Sequence, residues 1–406
     1  MNSFRLPPTG AELEIRRRIE ASGPITFADF MAIALHWPDG GYYSTRIALG
    51  PAGDFYTAPL THPVFGALMA RQIAEMWRAT GSPERWWVVE PGAGNGRLAG
   101  DVTAAMEREH GQLKAALGYL AIDVPLPADS EARVQWARST ALPVRGLKGV
   151  MLANELFDAM PVHRVAVRDG QLRELRVGVG NDNTLADVAA EPTAGVAERL
   201  TKLGVDLTEG AVAEVCLEAD RWLRDLGVAM ESGYLLLIDY GHEADAYYDV
   251  SRDRGTLRTY YRHTVGMNPY LNVGWQDISV HVEFTSVREA ARQAGFSEVG
   301  MTTQAEFLRN LGLDAYRDAV VALDDLRPVM KAANVRAMDS LLDPDGMGGF
   351  KIVAFVKGVP EAKLRGFVGG SALDGVPAVL ATASHMPPPG VGSELGEMPP
   401  WDELLR

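Results

Sequence analysis

Trp87-Val88-Val89-Glu90-Pro91-Gly92-Ala93-Gly94-Asn95-Gly96-Arg97-Leu98 runs from an apolar strand, through a carboxylate, into a glycine-dense turn. The segment that follows reads as helix to about Met106. A strand, a tight turn and a helix start present backbone N–H groups and the positive end of a helix to a ligand. Gly92, Gly94 and Gly96 let the backbone pass close beneath that ligand, because no Cβ intervenes. Glu90, at the strand's end, can reach an ammonium or a hydroxyl. A dinucleotide-binding turn asks for glycine or alanine where Arg97 stands, which counts against that class. On this stretch alone, a plain strand–helix turn without a ligand stays open.

Downstream, Tyr119-Leu120-Ala121-Ile122-Asp123 is a buried-type strand that also ends in an acid, one strand–helix–strand crossover after the turn. Asp123 stands where a ribose diol would be held by two charge-assisted hydrogen bonds. Gly149 to Glu155 and Tyr234 to Gly241 are two more apolar runs with polar endings. Such runs, separated by helical segments, describe a mostly parallel sheet covered on both faces. Open sheets of this kind bind ligands outside the carboxyl ends of their strands. Glu90, Asp123, Asn154 with Glu155, and Asp239 all collect on that edge.

Upstream, Thr9-Gly10-Ala11-Glu12 is a capping-box pattern, and Leu13 to Ala21 follows as a helix. A second helix starts at Thr26 with an apolar stripe through Phe27, Phe30, Met31, Ala34 and Leu35, which reads as core packing. The loop Gly50 to Pro59 surrounds Asp54 and Thr57 with two glycines and two prolines, a shaped loop more than a flexible one. A third helix is expected from Thr61 to about Thr80.

Two stretches interrupt the alternation. His163 to Val179 alternates around Asp169-Gly170, the mark of a hairpin, and Glu209 to Leu226 reads as a helix. Gly241 to Glu283 is too long and too aromatic for a plain connection and reads as a lid or substrate-shaping insert. Helices are expected over Thr285 to Gly295, Gln304 to Leu311 and Tyr316 to Leu342, and a last strand over Phe350 to Val356. The chain thus divides into an N-terminal helical segment with a covering loop (1–80), a core (81–360) with insertions near 162–208 and 241–284, and a tail rich in proline and glycine (361–406), partly disordered.

The chain holds 39 basic and 53 acidic residues, for a net charge of −14, which argues against a nucleic-acid grip. Cys216 is the only cysteine, so neither an intrachain disulfide nor a thiolate metal site can form. No His-x-x-x-His or carboxylate–His spacing suggests a metal, and none is expected. The N-terminus has no apolar signal region, and no run approaches the roughly 18 apolar residues of a membrane span. The expectation is a soluble cytoplasmic protein without a membrane partner; a homodimer stays open.

Several segments together resemble the MidA-like methyltransferases, bacterial relatives of the mitochondrial complex I assembly methyltransferase. The resemblance covers roughly residues 20–358. Its carriers include Ile25-Thr26-Phe27, Gly41-Tyr42-Tyr43, Gly53-Asp54-Phe55 with Thr57 and Pro59, and the glycine turn itself, similar to motif I of class I S-adenosyl-L-methionine (SAM) methyltransferases. Ala153 to Val162, Ile238-Asp239-Tyr240-Gly241, Gly255-Thr256-Leu257 and Gln276-Asp277-Ile278 with His281 complete the set. The resemblance implies a Rossmann-like α/β fold, a seven-stranded mostly parallel sheet with an N-terminal helical segment and insertions. It implies SAM as cofactor, met by Glu90, Gly92, Gly94, Gly96, Asp123, Asn154, Asp54 and Thr57. Mitochondrial members methylate an arginine of a complex I subunit. Leu60 replaces the family's acid after the loop proline, and Val124-Pro125-Leu126-Pro127 replaces a Ser-Pro step.

An arginine acceptor stays protonated with delocalised lone pairs, so a site must fix it with carboxylates that localise its charge. Glu155 and Asp158 are the candidate catalytic pair, three apart after a sheet strand; capping a short helix there is the bland alternative. His163 and His281 are candidate bases, and Arg258 and Arg262 could guide an acidic substrate, although packed or solvated roles are commoner for such residues. The reading is a SAM-dependent methyltransferase acting on a protein or peptide side chain, arginine nitrogen favoured. A small-molecule O- or N-methyltransferase and a silent assembly factor are the alternatives.

Overall fold

The computed structural model of the protein describes residues 6–45, 54, 57–127, 133–360, 362–369 and 380–381. Contacts divide the chain into two compact units, residues 1–48, 157–224 and 241–290 in one, and 49–156, 225–240 and 291–406 in the other.

The second unit is built on a seven-stranded sheet. Its strands are β1 (Trp86–Pro91), β2 (Leu117–Asp123), β3 (Val134–Arg138), β4 (Leu147–Asn154), β5 (Met230–Asp239), β6 (Ser297–Thr303) and β7 (Lys351–Lys357). Their spatial order is β6-β7-β5-β4-β1-β2-β3. From β5 to β3 all neighbours are parallel, while β7 runs antiparallel to both β5 and β6. The central strands are apolar without alternation, with Val88, Val150, Leu152, Leu236 and Ile238 fully buried, as a sheet covered on both faces requires. Helix Val64–Ala79 packs beside helix Arg97–Glu109, and both add their apolar faces to this core.

The first unit holds helices Gly10–Ser22 and Phe27–His36, capped by Thr9 and Thr26 as their sequences indicate. Its four-stranded sheet runs Leu185–Ala190, Gln171–Val179, His163–Arg168, Val212–Val215. The hairpin turn falls at Asp169-Gly170, both with positive φ (52° and 70°), the backbone that a two-residue turn between twisted strands needs. A three-stranded sheet from residues 258–279 and a two-stranded one, Gly241–His242 with Val282–Glu283, account for the insert.

Three expected helices are corrected. The stretch Glu209 to Leu226 is strand Val212–Val215 followed by helix Glu218–Ala229, because Val212, Ala213 and Val215 pair across to His163–Ala166. Tyr316 to Leu342 splits into Leu313–Val321 and Pro328–Ser340, with Pro328 in the first turn of the second. Thr61 to Thr80 becomes Ala58–Thr61 and Val64–Ala79, with Pro63 between them. Residues 362–369, at the start of the expected tail, are described. Leu364 is buried, and Arg365–Val368 forms a helical turn whose Gly366 N–H donates to Gln72 Oε1 at 3.1 Å. Most of 370–406 lies outside the described residues.

Candidate functional site

Glu90 is the last residue but one of β1, before Pro91, and is 4% exposed. In the parallel register Tyr119 of β2 stands opposite Val88, two residues before Glu90 and therefore on the same face. Its hydroxyl donates to Glu90 Oε2 at 2.6 Å. Burial raises the Glu90 pKa to about 8; the Tyr119 hydroxyl opposes that shift and the Asp123 charge adds to it.

The glycine turn is tied to the end of β2. Gly92 and Ala93 donate their N–H groups to Ile122 O at 2.8 and 3.2 Å, and Gly94 N–H donates to Asp123 Oδ2 at 2.7 Å. Asp123 Oδ1 accepts Val124 N–H at 2.6 Å. Burial raises the Asp123 pKa, against the pull of these two N–H groups. Gly92, Gly94 and Gly96 have φ of 69°, 56° and 76°, a left-handed run that side chains resist. A Cβ at Gly96 would also stand 2.7 Å from the Trp136 ring of β3. Gly96 starts helix Arg97–Glu109 with no side chain of its own to cap it, and the first N–H, of Arg97, donates to Asn95 Oδ1 at 3.1 Å.

Asn154 ends β4, and Glu155 follows with φ of 47°, a conformation that costs a non-glycine residue about 1–3 kcal/mol. Glu155 N–H donates to Ile238 O at 2.8 Å, which fixes the backbone beyond the strand. Its Oε1 accepts the Asn154 side-chain amide at 3.2 Å and Ala58 N–H at 3.3 Å. Residues 155–160 form turns and no helix, so the alternative of a local helix cap does not apply; Glu155 instead accepts the first N–H of helix Ala58–Thr61, whose N-cap is Thr57. Thr57 and Asp54 are both buried, and residues 50–53, 55 and 56 of their loop lie outside the described residues. Leu156 Cδ1 reaches the glycine turn, 3.1 Å from where a Gly92 Cβ would stand. Glu90, the three glycines, Asp123, Asn154, Glu155 and Thr57 thus belong to one edge of the main sheet and its adjoining turns.

Asp158 belongs to the other unit, where it is buried and its backbone carbonyl accepts Val280 N–H at 2.9 Å. Tyr43, also in that unit, donates its hydroxyl to Asp277 Oδ1 at 2.7 Å. Burial first, then the charges of Asp277 and Asp158, push the Tyr43 pKa well up. His163 Nδ1 lies 2.6 Å from Glu174 Oε1, and that carboxylate also takes the Thr193 N–H and hydroxyl, a hairpin anchor. His281 is held neutral at physiological pH, its pKa lowered to about 3 by burial. Arg258 donates to Leu257 O and Arg262 lies over the Tyr261 ring, so both have local roles. Tyr119 and Trp136 escaped the sequence reading, since their positions depend on strand register.

The edge fits a nucleoside cofactor with a positive charge. The three left-handed glycines present bare backbone at the end of β1, and two acids whose pKa values burial has raised regain charge beside a cation. Among the described residues, no group of three or more His, Cys, Asp or Glu could hold a metal ion.

Residues 68–302 match the family profile described as "Putative S-adenosyl-L-methionine-dependent methyltransferase". A solved structure of a likely methyl transferase from Burkholderia thailandensis, bound to S-adenosyl-homocysteine, is similar over 91% of this chain and 98% of that one. It shares 31% identity, with a TM-score of 0.79. The mitochondrial protein arginine methyltransferase NDUFAF7 of Danio rerio is 29% identical over 370 residues, covering 82% of this chain and 83% of that protein. Its Homo sapiens counterpart is 28% identical over 395 residues, covering 89% and 86%. The chain belongs to the MidA-like family of methyltransferases that depend on S-adenosyl-L-methionine.

Proposed function

We propose that the chain methylates a side chain of a protein or peptide, an arginine nitrogen in particular. The observation that carries this reading is Glu155, a carboxylate held in a strained left-handed backbone at the end of central strand β4. The names of the curated mitochondrial relatives support it. The cofactor supplies an electrophilic methyl group on sulfur, so the chain's task is alignment rather than acid–base work, and positioning contributes about 7–11 kcal/mol in such reactions. Glu90, Gly92, Gly94, Gly96, Asp123, Asn154, Asp54 and Thr57 form the proposed cofactor set. Glu155 pairs the guanidinium, concentrating its charge on one nitrogen and leaving another free to attack. Labelled SAM added to lysate lacking the protein, with and without the purified enzyme, tests the reading. A labelled protein band whose hydrolysate yields methylarginine supports it, and label confined to small metabolites refutes it.

Two predictions concern the cofactor. Asp123→Ala should weaken SAM binding by about 1.5–3 kcal/mol, the range for hydrogen bonds to a charged group. The Gly94 N–H loses its acceptor as well, so the turn loosens together with the ribose contact. KM for SAM should rise more than kcat falls, and steady-state kinetics with an unchanged KM would remove Asp123 from the site.

Glu90 faces Tyr119 and Asp123 and, with its pKa raised to about 8, is mostly protonated at pH 7. A cation favours its ionised form, so SAM binding at pH 7 should release a proton, and affinity should climb as pH rises through 8. For folding the sign runs the other way. The folded state holds this proton more tightly, so stability falls as pH rises from the ordinary carboxylate range to about 8. Titration calorimetry in buffers of different ionisation enthalpy reads the proton directly; a buffer-independent heat would detach Glu90 from the cofactor.

A further inference from the structure

Helix Ala58–Thr61, whose first N–H donates to Glu155 Oε1 at 3.3 Å, is a single turn of four buried residues. A turn this short does not hold itself in water, so its neighbours must place it. His62 ends it, fully buried and with an extended backbone at φ −160° and ψ 142°. Helix Val64–Ala79 starts two residues later, and Pro63 at its head makes no side-chain cap. His62 takes that place, for Val64 N–H donates to its Nδ1 at 3.1 Å.

That bond decides the rest of the ring. A ring nitrogen that accepts an N–H carries no proton, so the proton of the neutral imidazole sits on Nε2. Nε2 lies 2.9 Å from Oδ1 of Asn334, in helix Pro328–Ser340, a bond that spans 272 positions of the chain. Asn334 Nδ2 donates to Met330 O at 2.8 Å, one turn back, which leaves Oδ1 as the acceptor. Three bonds thus run in one direction, from Val64 through His62 and Asn334 to Met330, and each fixes the polarity of the next. The buried residues of helix Pro328–Ser340 are Asn334, Ala337 and Met338. A buried amide is destabilising unless it is bonded, so an apolar residue would suit a slot that served packing alone.

We propose that Asn334 is a positioning residue for methyl transfer and that it acts through His62. The pair pins the far end of the one-turn helix, which keeps Ala58 N–H on Glu155 Oε1 and sets the direction of that carboxylate. The inference rests on the role proposed for Glu155.

Two substitutions at His62 separate positioning from packing. Asn puts an oxygen where Nδ1 stands, so His62→Asn keeps an acceptor for Val64 N–H but is too short to reach Asn334. Gln extends one atom further, so His62→Gln can donate to Asn334 Oδ1, while its δ position holds a carbon that accepts nothing. The rate read is the initial transfer of label from saturating labelled SAM into lysate lacking the protein, counted over protein and small-molecule products together. SAM affinity and thermal unfolding are measured alongside. His62→Asn should lose about tenfold in rate, the effect of one hydrogen bond, and keep its SAM affinity. His62→Gln should stay within about threefold of the unaltered rate, although without the cap it melts below His62→Asn. Asn334→Leu should match His62→Asn, and the two together should lose no more than either alone, since both break one bond. In the chain carrying Glu155→Gln, His62→Asn should remove less than about twofold further.

If His62→Asn does not fold, Asn334→Leu carries the same comparisons. A normal rate in the folded variant overturns the proposal. So does the opposite order of the two His62 variants, or a full tenfold loss that persists beside Glu155→Gln. The proposed function fails separately, through a normal rate in Glu155→Gln alone or label confined to small metabolites.

Discussion

Glu155→Gln is expected to keep SAM affinity within a factor of about three while losing at least ~10²-fold in kcat, about 2.7 kcal/mol of transition-state stabilisation. Gln preserves the length of the side chain and one acceptor oxygen for the Ala58 and Asn154 donors, so the substitution tests charge rather than packing. The backbone strain at φ 47° is the same in both proteins and cancels. Without the carboxylate, a guanidinium entering the site meets no charge to localise its own, and the loss falls on the chemical step. Binding and single-turnover measurements on the variant separate the outcomes. A normal rate would end the carboxylate-clamp mechanism, and lost SAM affinity would move Glu155 into the cofactor set.

Gly94→Val should abolish measurable SAM binding, a loss of at least ~10²-fold or about 2.7 kcal/mol. Two costs combine. Valine is a rare resident of the left-handed region, where Gly94 sits at φ 56°, and its branched Cβ enters the proposed path of the cofactor. If valine forces the turn to another conformation, the Gly94 N–H also leaves Asp123. Circular dichroism should show the sheet intact, because the turn lies outside the packed strands. Micromolar calorimetric binding by the folded variant would remove the turn from the cofactor site.

Strands β1, β2, β4 and β5 were legible because each is an apolar run that stops at a polar residue. Edge strands β3 and β6 were not, since Val134–Arg138 and Ser297–Thr303 are mostly half-buried and carry no continuous apolar pattern. The β6 strand also holds a bulge between Glu298 and Gly300, which breaks any period. Val212–Val215 was mistaken for helix because four residues cannot establish a period, and only the partner strand His163–Arg168 decides it. At the site, the glycines and strand-end acids were readable as residue types. The Tyr119–Glu90 bond requires knowing which residues of β1 and β2 face each other, and the left-handed turn at Glu155 has no glycine to announce it.

Helix Val64–Ala79 has a bearing on the order in which the protein is made. Gln72 is fully buried within it, and its side-chain oxygen takes the N–H of Gly366, 294 positions later in the chain. Glu75, one turn on, accepts the N–H of Arg365 at 2.9 Å. A ribosome therefore delivers this early helix long before it delivers the groups that satisfy two of its polar side chains. Until then the nascent sheet carries a face on which a polar group cannot be buried without cost, which delays final packing until the C-terminal segment emerges.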